Sequence, residues 1–330
     1  MSRPAMDPAR KLENRMTATV TTRPAVSVAG LRKSFGGRLV LDDIDLTVPE
    51  GTVFALLGPN GAGKTTMVRI LATLLAADAG SVRVAGHDLV REPDGVRAAI
   101  GLTGQFAAVD RLLTVRENLK LMADLHRLGR SAGGRRVAGL IERFDLGESA
   151  GKPVQLLSGG QQRRLDLAMT LVGSPRLIFL DEPTTGLDPR SRHAMWQIVR
   201  ELVGEGVTVL LTTQYLDEAD QLADRIAVLD HGRIVVEGTP AELKRQIPGG
   251  HLLLRFADPA GLAAAASVLA TVHRDDDALT LQVPSDGGVG SLRTVLARLD
   301  AAGAEPESLT IHTPDLDDVF FAVTGHQESR

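Results

Sequence analysis

The sequence predicts an α/β fold: a parallel sheet with an antiparallel β-region ahead of it, a helical subdomain inserted in it, and a small C-terminal α+β domain. Three observations carry this. Short apolar runs at Val53–Leu57, 177–180 and 207–211 have the length of buried strands, and amphipathic helices separate them. A glycine-rich turn joins the first run to a helix, which is the opening half of a βαβ unit. At Ile247-Pro248-Gly249-Gly250 the rhythm breaks and resumes on a smaller scale.

The elements follow in order. Residues 1–24, rich in Arg, Pro, Thr and Ala and without the apolar stretch of a secretory signal, are expected to form a flexible tail, with Met16 an alternative start. Val26 and Val28 alternate with small residues, Gly36-Gly37 makes a turn, and Val40, Ile44, Leu46 and Val48 recur, which predicts antiparallel strands. The helix after the glycine turn should bury Met67, Ile70, Leu71 and Leu74. From 106 to 172 the pattern is helical, with Val137, Leu140, Ile141 and Phe144 on one face, Leu165, Ala168, Met169 and Val172 on another, and a polar connector at 129–134. A helix carrying Met195, Ile198, Val199 and Leu202 links two strand runs, and 226–229 with 234–236 flank a hairpin turn. Beyond the break come a strand at 252–256, a helix on Leu262, Ala265, Ala266 and Leu269, a strand at 279–283, a helix on Leu292, Val295, Leu296 and Leu299, a strand near 309–312 and a closing helix on Leu316, Val319, Phe320 and Val323. The expected division is tail 1–24, main domain 25–246 with its helical part at about 106–172, and accessory domain 251–330.

Composition narrows the function. The chain of 330 residues exceeds what one compact domain usually needs. Without cysteine there is no disulfide framework, thiol nucleophile or Cys-based zinc site, and the eight histidines lack metal-ligand spacing. With 37 basic and 41 acidic residues the net charge is −4, so a nucleic-acid partner held by a large positive field is not expected. No apolar run approaches the eighteen or so residues of a membrane span, so a soluble or peripheral protein is expected.

Two motifs speak of phosphate chemistry. Gly58-Pro59-Asn60-Gly61-Ala62-Gly63-Lys64-Thr65 matches the phosphate-binding loop, whose glycines let successive N–H groups point at a polyphosphate. There Lys64 would bridge β- and γ-phosphates, Thr65 would give its hydroxyl to Mg²⁺, and Thr66 would reach the α-phosphate. The plain alternative is a glycine turn capping a helix. In the second motif, Asp181-Glu182 ends an apolar run, where open α/β sheets place their ligands. Asp181 would hold Mg²⁺, and Glu182 would orient and deprotonate the water that attacks the γ-phosphate. A strand ending in solvated acids is the alternative.

The third motif brings in a family. Leu157-Ser158-Gly159-Gly160-Gln161 ahead of an amphipathic helix resembles the signature of ATP-binding-cassette (ABC) ATPases, members of the phosphate-loop NTPases, although Ser158 is also a good N-cap. The resemblance covers about residues 25 to 245. It implies that Phe35 stacks on adenine, with core packing as the alternative, and that Gln105 touches Mg²⁺ and couples to the transport partner, where a loop amide would be the default. It implies that Asp188, in Thr185-Gly186-Leu187-Asp188, lies in the loop through which two cassettes communicate. Gln214 stands where most cassettes have a switch histidine; it can bond a γ-phosphate but does not titrate near neutral pH, so slow hydrolysis with little change between pH 6 and 7 is expected.

Residues 212–226 and 316–326, the latter opening Leu316-Asp317-Asp318-Val319-Phe320-Phe321, are similar to the ATP-binding subunits of daunorubicin- and doxorubicin-resistance exporters, a subgroup that shares the glutamine. The resemblance implies an ATP hydrolase powering drug or antibiotic efflux, working as a homodimer in which Ser158, Gly159 and Gly160 of one copy complete the site begun by Lys64 and Asp181 of the other, with Gln161 beside them among the ATP-binding residues. It also implies a separate integral-membrane permease and a place at the cytoplasmic face of the membrane. An importer subunit, or a soluble cassette ATPase acting on nucleic acid or ribosomes, are the other readings; the latter expects duplicated cassettes, a coiled-coil insert or a basic tail.

Overall fold

The computed structural model describes residues 24–104, 108–246, 250–270, 273–285, 288–312 and 314–325. Residues 1–23 of the tail expected at 1–24 and residues 247–249 of the break lie outside them, whereas Pro24 already belongs to the first strand. The chain divides into two compact units, one built from residues up to Val53 together with Thr65–Leu210, the other from Phe54–Lys64 and Leu211 onward.

In the first unit β1 (Pro24–Phe35) and β2 (Arg38–Pro49) form the predicted antiparallel pair, with Val26 opposite Val48 and Val28 opposite Leu46. Gly36 and Gly37 close the hairpin at φ of +54° and +82°, which side chains resist. β3 (Val53–Leu57) starts at the edge of this unit. α1 (Lys64–Leu71) buries Met67, Ile70 and Leu71 as predicted, but not Leu74, which is 65% exposed; Thr73 turns to φ +62° and ends the helix first. Two strands that the sequence reading passed over, β4 (Ala79–Val84) and β5 (His87–Asp88), extend the hairpin to a sheet of order β2-β1-β4-β5.

After α2 (Pro93–Ala99) comes β6 (Ile100–Thr103), which pairs in parallel with β7 (Leu177–Asp181), Gly101 opposite Ile178. Between them in sequence lie the helices. α3 (Val115–Leu125) starts on a capping box: the Thr114 hydroxyl accepts from the Glu117 amide, and the Glu117 carboxylate accepts from the Thr114 amide. α4 (Arg130–Arg143) starts immediately after Gly129, so the polar connector expected at 129–134 is instead its first turns. This part of α4 packs on α3: Gly133 is buried, and an added Cβ there would lie 3.4 Å from that of Ala123, an ordinary contact. α5 (Gly159–Thr170) buries Leu165, Ala168 and Met169. α6 (Pro189–Gly204) buries Met195, Val199 and Leu202, and β8 (Thr208–Thr213) follows; β7 and β8 are buried at every position, the mark of strands covered on both faces. The parallel strands of this unit run in the order β8-β7-β6.

The second unit orders its strands β10-β9-β3-β8. β9 (Arg225–Asp230) lies parallel to β3, Leu57 opposite Val228, and forms the predicted hairpin with β10 (Arg233–Gly238). α7 (Leu216–Leu222) and α8 (Pro240–Gln246) flank these strands in sequence. A second sheet of order β12-β13-β11-β14 is built from β11 (His251–Arg255), β12 (His273–Asp275), β13 (Thr280–Pro284) and β14 (Ser308–His312). With α9 (Pro259–Val268) and α10 (Val289–Ala301) it encloses a core of Leu252, Leu254, Phe256, Leu262, Leu281 and Leu299. The last helix, α11 (Leu316–Thr324), packs against α7 and α8. No described helix is long and apolar enough to cross a membrane.

Candidate functional site

In the second unit the buried strand β3 ends at Leu57, and the glycine loop begins. The Gly58 amide donates to the Thr213 carbonyl at 3.3 Å, and a Cβ at Gly58 would run into the Leu229 carbonyl, so only glycine fits. Gly61 and Gly63 take φ of +84° and +113°, a backbone that glycine adopts without strain and that the motif's glycines permit. Pro59 is half-buried and Asn60 exposed; Ala62 is buried and donates its amide to the Pro59 carbonyl. Lys64 is only 5% exposed, and its ammonium curls over the loop to the carbonyls of Gly58 at 2.7 Å and Pro59 at 3.1 Å. Gln214, half-buried, follows Thr213 directly, so the bond from Gly58 ties the start of the loop to the residue before the glutamine.

The first unit carries the other residues. Thr65, at the start of α1, donates its hydroxyl to Asp181 Oδ1 at 3.2 Å, and Thr66 beside it is half-buried. Asp181 is the buried last residue of β7. Glu182 follows at φ +49°, a left-handed backbone that turns its half-buried side chain off the strand axis, and the Thr185 hydroxyl donates to its carboxylate at 3.3 Å. Thr65 and Asp181 offer only oxygen, the donor set of a hard divalent cation. Among the described residues no group of three His, Asp or Glu could hold a metal alone. Two oxygen ligands leave the other positions of such a cation to water or to oxygens of a bound phosphate.

In the signature segment Ser158 and Gly159 are exposed, Gly160 and Gln161 half-buried and Leu157 buried. Ser158 caps α5: its hydroxyl accepts from the Gln161 amide at 3.3 Å while Gln161 Oε1 accepts from the Ser158 amide at 3.0 Å, and the Gln161 amide group reaches Ser149. Both roles foreseen for Ser158 thus remain available to one hydroxyl. Gly159 is open to solvent, whereas Gly160 lies against α6, where a Cβ would come within 2.6 Å of Ser191 Oγ. Ser191 in turn donates its hydroxyl and amide to Asp188, the N-cap of α6. Those two bonds hold the Asp188 carboxyl below the usual carboxylate range, and they connect the signature glycine to the loop that ends in Asp188.

Phe35 is 48% exposed with the Lys33 ammonium over its ring, 5.4 Å from the centroid, so the ring is not packed in the core. Gln105 lies outside the described residues. Its neighbours reveal a pair that motif reading missed, Arg163 and Asp166, both buried in α5. The Arg163 guanidinium donates to the carbonyls of Gly104, Asp181 and Pro183 and pairs with Asp166 at 3.2 Å, while Asp166 accepts from the Ala108 amide. Burial pushes the Asp166 carboxyl up, against the opposing pull of Arg163 and that amide. A signal existed: residues 163, 166 and 170 repeat at i, i+3, i+7 beside the apolar stripe of α5.

Comparison with known proteins agrees with this geometry. The ABC transporter family matches residues 41–185. The chain is 49% identical to the daunorubicin/doxorubicin resistance ATP-binding protein DrrA of Streptomyces peucetius, over 93% of this chain and 95% of that protein. It is 46% identical to the doxorubicin resistance ATP-binding protein DrrA of Mycobacterium tuberculosis, over 91% of this chain and 93% of that one. Among solved structures it resembles CbiO1 of Clostridium perfringens, part of an ABC transporter complex, with a TM-score of 0.63 and 27% identity over 68% of this chain and 91% of the other. Identity of this degree along almost the whole chain, on a fold that solved cassettes share, leads to one conclusion: the protein belongs to the ABC transporter family, as an ATP-binding subunit of the daunorubicin/doxorubicin resistance type, an ATPase coupled to transport.

Proposed function

We propose that the chain hydrolyses ATP to drive efflux of a hydrophobic drug or antibiotic through a separate integral-membrane permease, from the cytoplasmic face of the membrane, as a homodimer. The observation that carries the chemistry is the bond of Thr65 to Asp181, which joins the end of the phosphate loop to the acidic end of β7. Names of relatives at 46–50% identity supply the cargo class.

In this mechanism Phe35 offers a ring to the adenine, and the backbone amides of residues 60–63 with Lys64 and Thr66 hold the phosphates. Thr65, Asp181 and Gln105 would hold Mg²⁺, which would supply positive charge to the phosphates. Glu182 accepts a proton from the attacking water as that oxygen bonds the γ-phosphorus and the bond to ADP breaks; a positioned base contributes about 10² to 10⁴ in rate. Gln214 donates to a γ-phosphate oxygen. Ser158, Gly159, Gly160 and Gln161 of the partner subunit close the site, and Asp188 passes its state between copies. The domain layout that serves this is 25–246 for ATP and 251–330 as an accessory.

Co-expressed with its permease in a drug-sensitive host, the wild type should confer resistance and sediment with membranes. Glu182→Gln should bind ATP with ordinary affinity, dimerise, and abolish resistance. Sedimentation with nucleic acid in low salt, independent of the permease, would favour the soluble alternative.

A further inference from the structure

We propose that Arg163 is a positioning residue for hydrolysis: it fixes the backbone on both sides of Glu182 and so aims the carboxylate at water. This rests on Glu182 being the base.

The geometry is specific. Glu182 sits at φ +49°, a conformation a residue with a Cβ adopts at a cost and keeps only where its surroundings hold it. Arg163 supplies such a hold. Its Nε donates to the Pro183 carbonyl at 2.9 Å and its Nη2 to the Asp181 carbonyl at 3.4 Å, so one planar group bonds the peptide before Glu182 and the residue after it. Its Nη1 donates to the Gly104 carbonyl at 2.8 Å and meets Asp166 at 3.2 Å. The planar fork is what permits this; a lysine ammonium at the same place cannot span carbonyls on opposite sides. Asp166, itself buried, sets the guanidinium plane and binds the Ala108 amide.

The position of Arg163 in the chain gives this a consequence. It lies two residues beyond Gln161, in the helix that Ser158 caps. A displacement of the signature end of α5 is therefore transmitted to the Asp181, Pro183 and Gly104 carbonyls by one rigid group. A partner subunit that engages Ser158 would steady the base as well as the phosphate.

The test uses the complete transporter, ATPase subunit with its permease, and four forms of the chain: wild type, Arg163→Lys, Glu182→Gln and the double variant. Arg163→Lys should lower kcat at least tenfold while KM and the Kd for ATP stay within twofold, and should add nothing to the residual rate of Glu182→Gln. Wild-type kcat in Arg163→Lys, a parallel loss of ATP affinity, or an additive loss in the double variant would each overturn the positioning role while leaving the base in place. Rapid turnover by Glu182→Gln would remove the base assignment, and this proposal with it. Should Arg163→Lys fail to fold, Arg163→Gln with Asp166→Asn replaces the buried ion pair by a neutral amide pair. The same split between kcat and Kd is expected from it, and wild-type kcat in it overturns the role.

Discussion

At Ser158 one hydroxyl has a structural task and, in the proposed function, a second one at the partner's ATP, and the two differ in size. As the N-cap of α5 it is worth about 1 kcal/mol. Ser158→Ala should therefore unfold in urea at a slightly lower midpoint while losing more than tenfold in ATPase rate at saturating ATP. A rate loss no larger than the stability loss would reduce the residue to a cap. The motif residues were legible in sequence because their chemistry depends on spacing along the chain, and Gly58 is the plainest: its need for glycine is visible in the motif and confirmed by the Leu229 carbonyl. Phe35 needed the structure, since exposure alone separates a stacking face from a core ring. Arg163 and Asp166 stayed hidden because charge in an amphipathic helix normally marks the wet face, and their partners lie in segments distant in sequence.

Among the elements, long periodic helices and apolar strands were readable, whereas β6 was not: Ile100-Gly101-Leu102-Thr103 is four residues with a glycine at its centre, too short for a pattern. β4 begins Ala79-Gly80, letters of a turn, yet Gly80 is required there because a Cβ would strike the backbone of Gly30 and Leu31. Residues 129–134 read as a linker for the same compositional reason and fold as helix because tertiary packing overrides propensity. Where packing makes no such demand, glycine is a simple cost. Gly139, exposed within α4 with nothing near its missing Cβ, should accept alanine with a gain of roughly 0.5–1 kcal/mol, measured by urea unfolding.

The cap of α6 adds a pH dependence at the same scale. The Asp188 carboxyl titrates below its ordinary value because Ser191 bonds the charged form, so its contribution is present above the unfolded pKa and is lost as pH falls through the folded one. An asparagine in its place would cap without charge. The stability difference between wild type and Asp188→Asn should be widest near pH 6 and close as pH drops through the carboxylate range; a constant difference would contradict the assignment.

For the whole molecule the decisive question is number of copies. ATP-binding subunits of this family dimerise and work with membrane permeases. If Ser158 completes a site in its partner, ATPase activity per chain should rise with protein concentration and level off once the dimer saturates. Analytical ultracentrifugation alongside the assay checks this, and an activity per chain that ignores dilution would exclude a shared site. The overall α/β class was recoverable from the alternation of strands and helices. The division into two units was not, because each draws on two separated stretches of chain, and sequence periodicity is blind to such interleaving.

Interleaving also imposes a timetable on synthesis. β3, which carries the glycine loop, finds its hydrogen-bonded neighbour β9 only when the stretch around Val228 has left the ribosome. Such a distant pairing closes late, since loop entropy must be overcome before the contact repays it. Until then an apolar five-residue strand has β8 on one side only, and its other edge is open to the wrong partner. Nascent chains arrested before that point should be unable to grip nucleotide however completely their earlier helices have formed, and a cell that hurries translation through this region would meet the cost as aggregation.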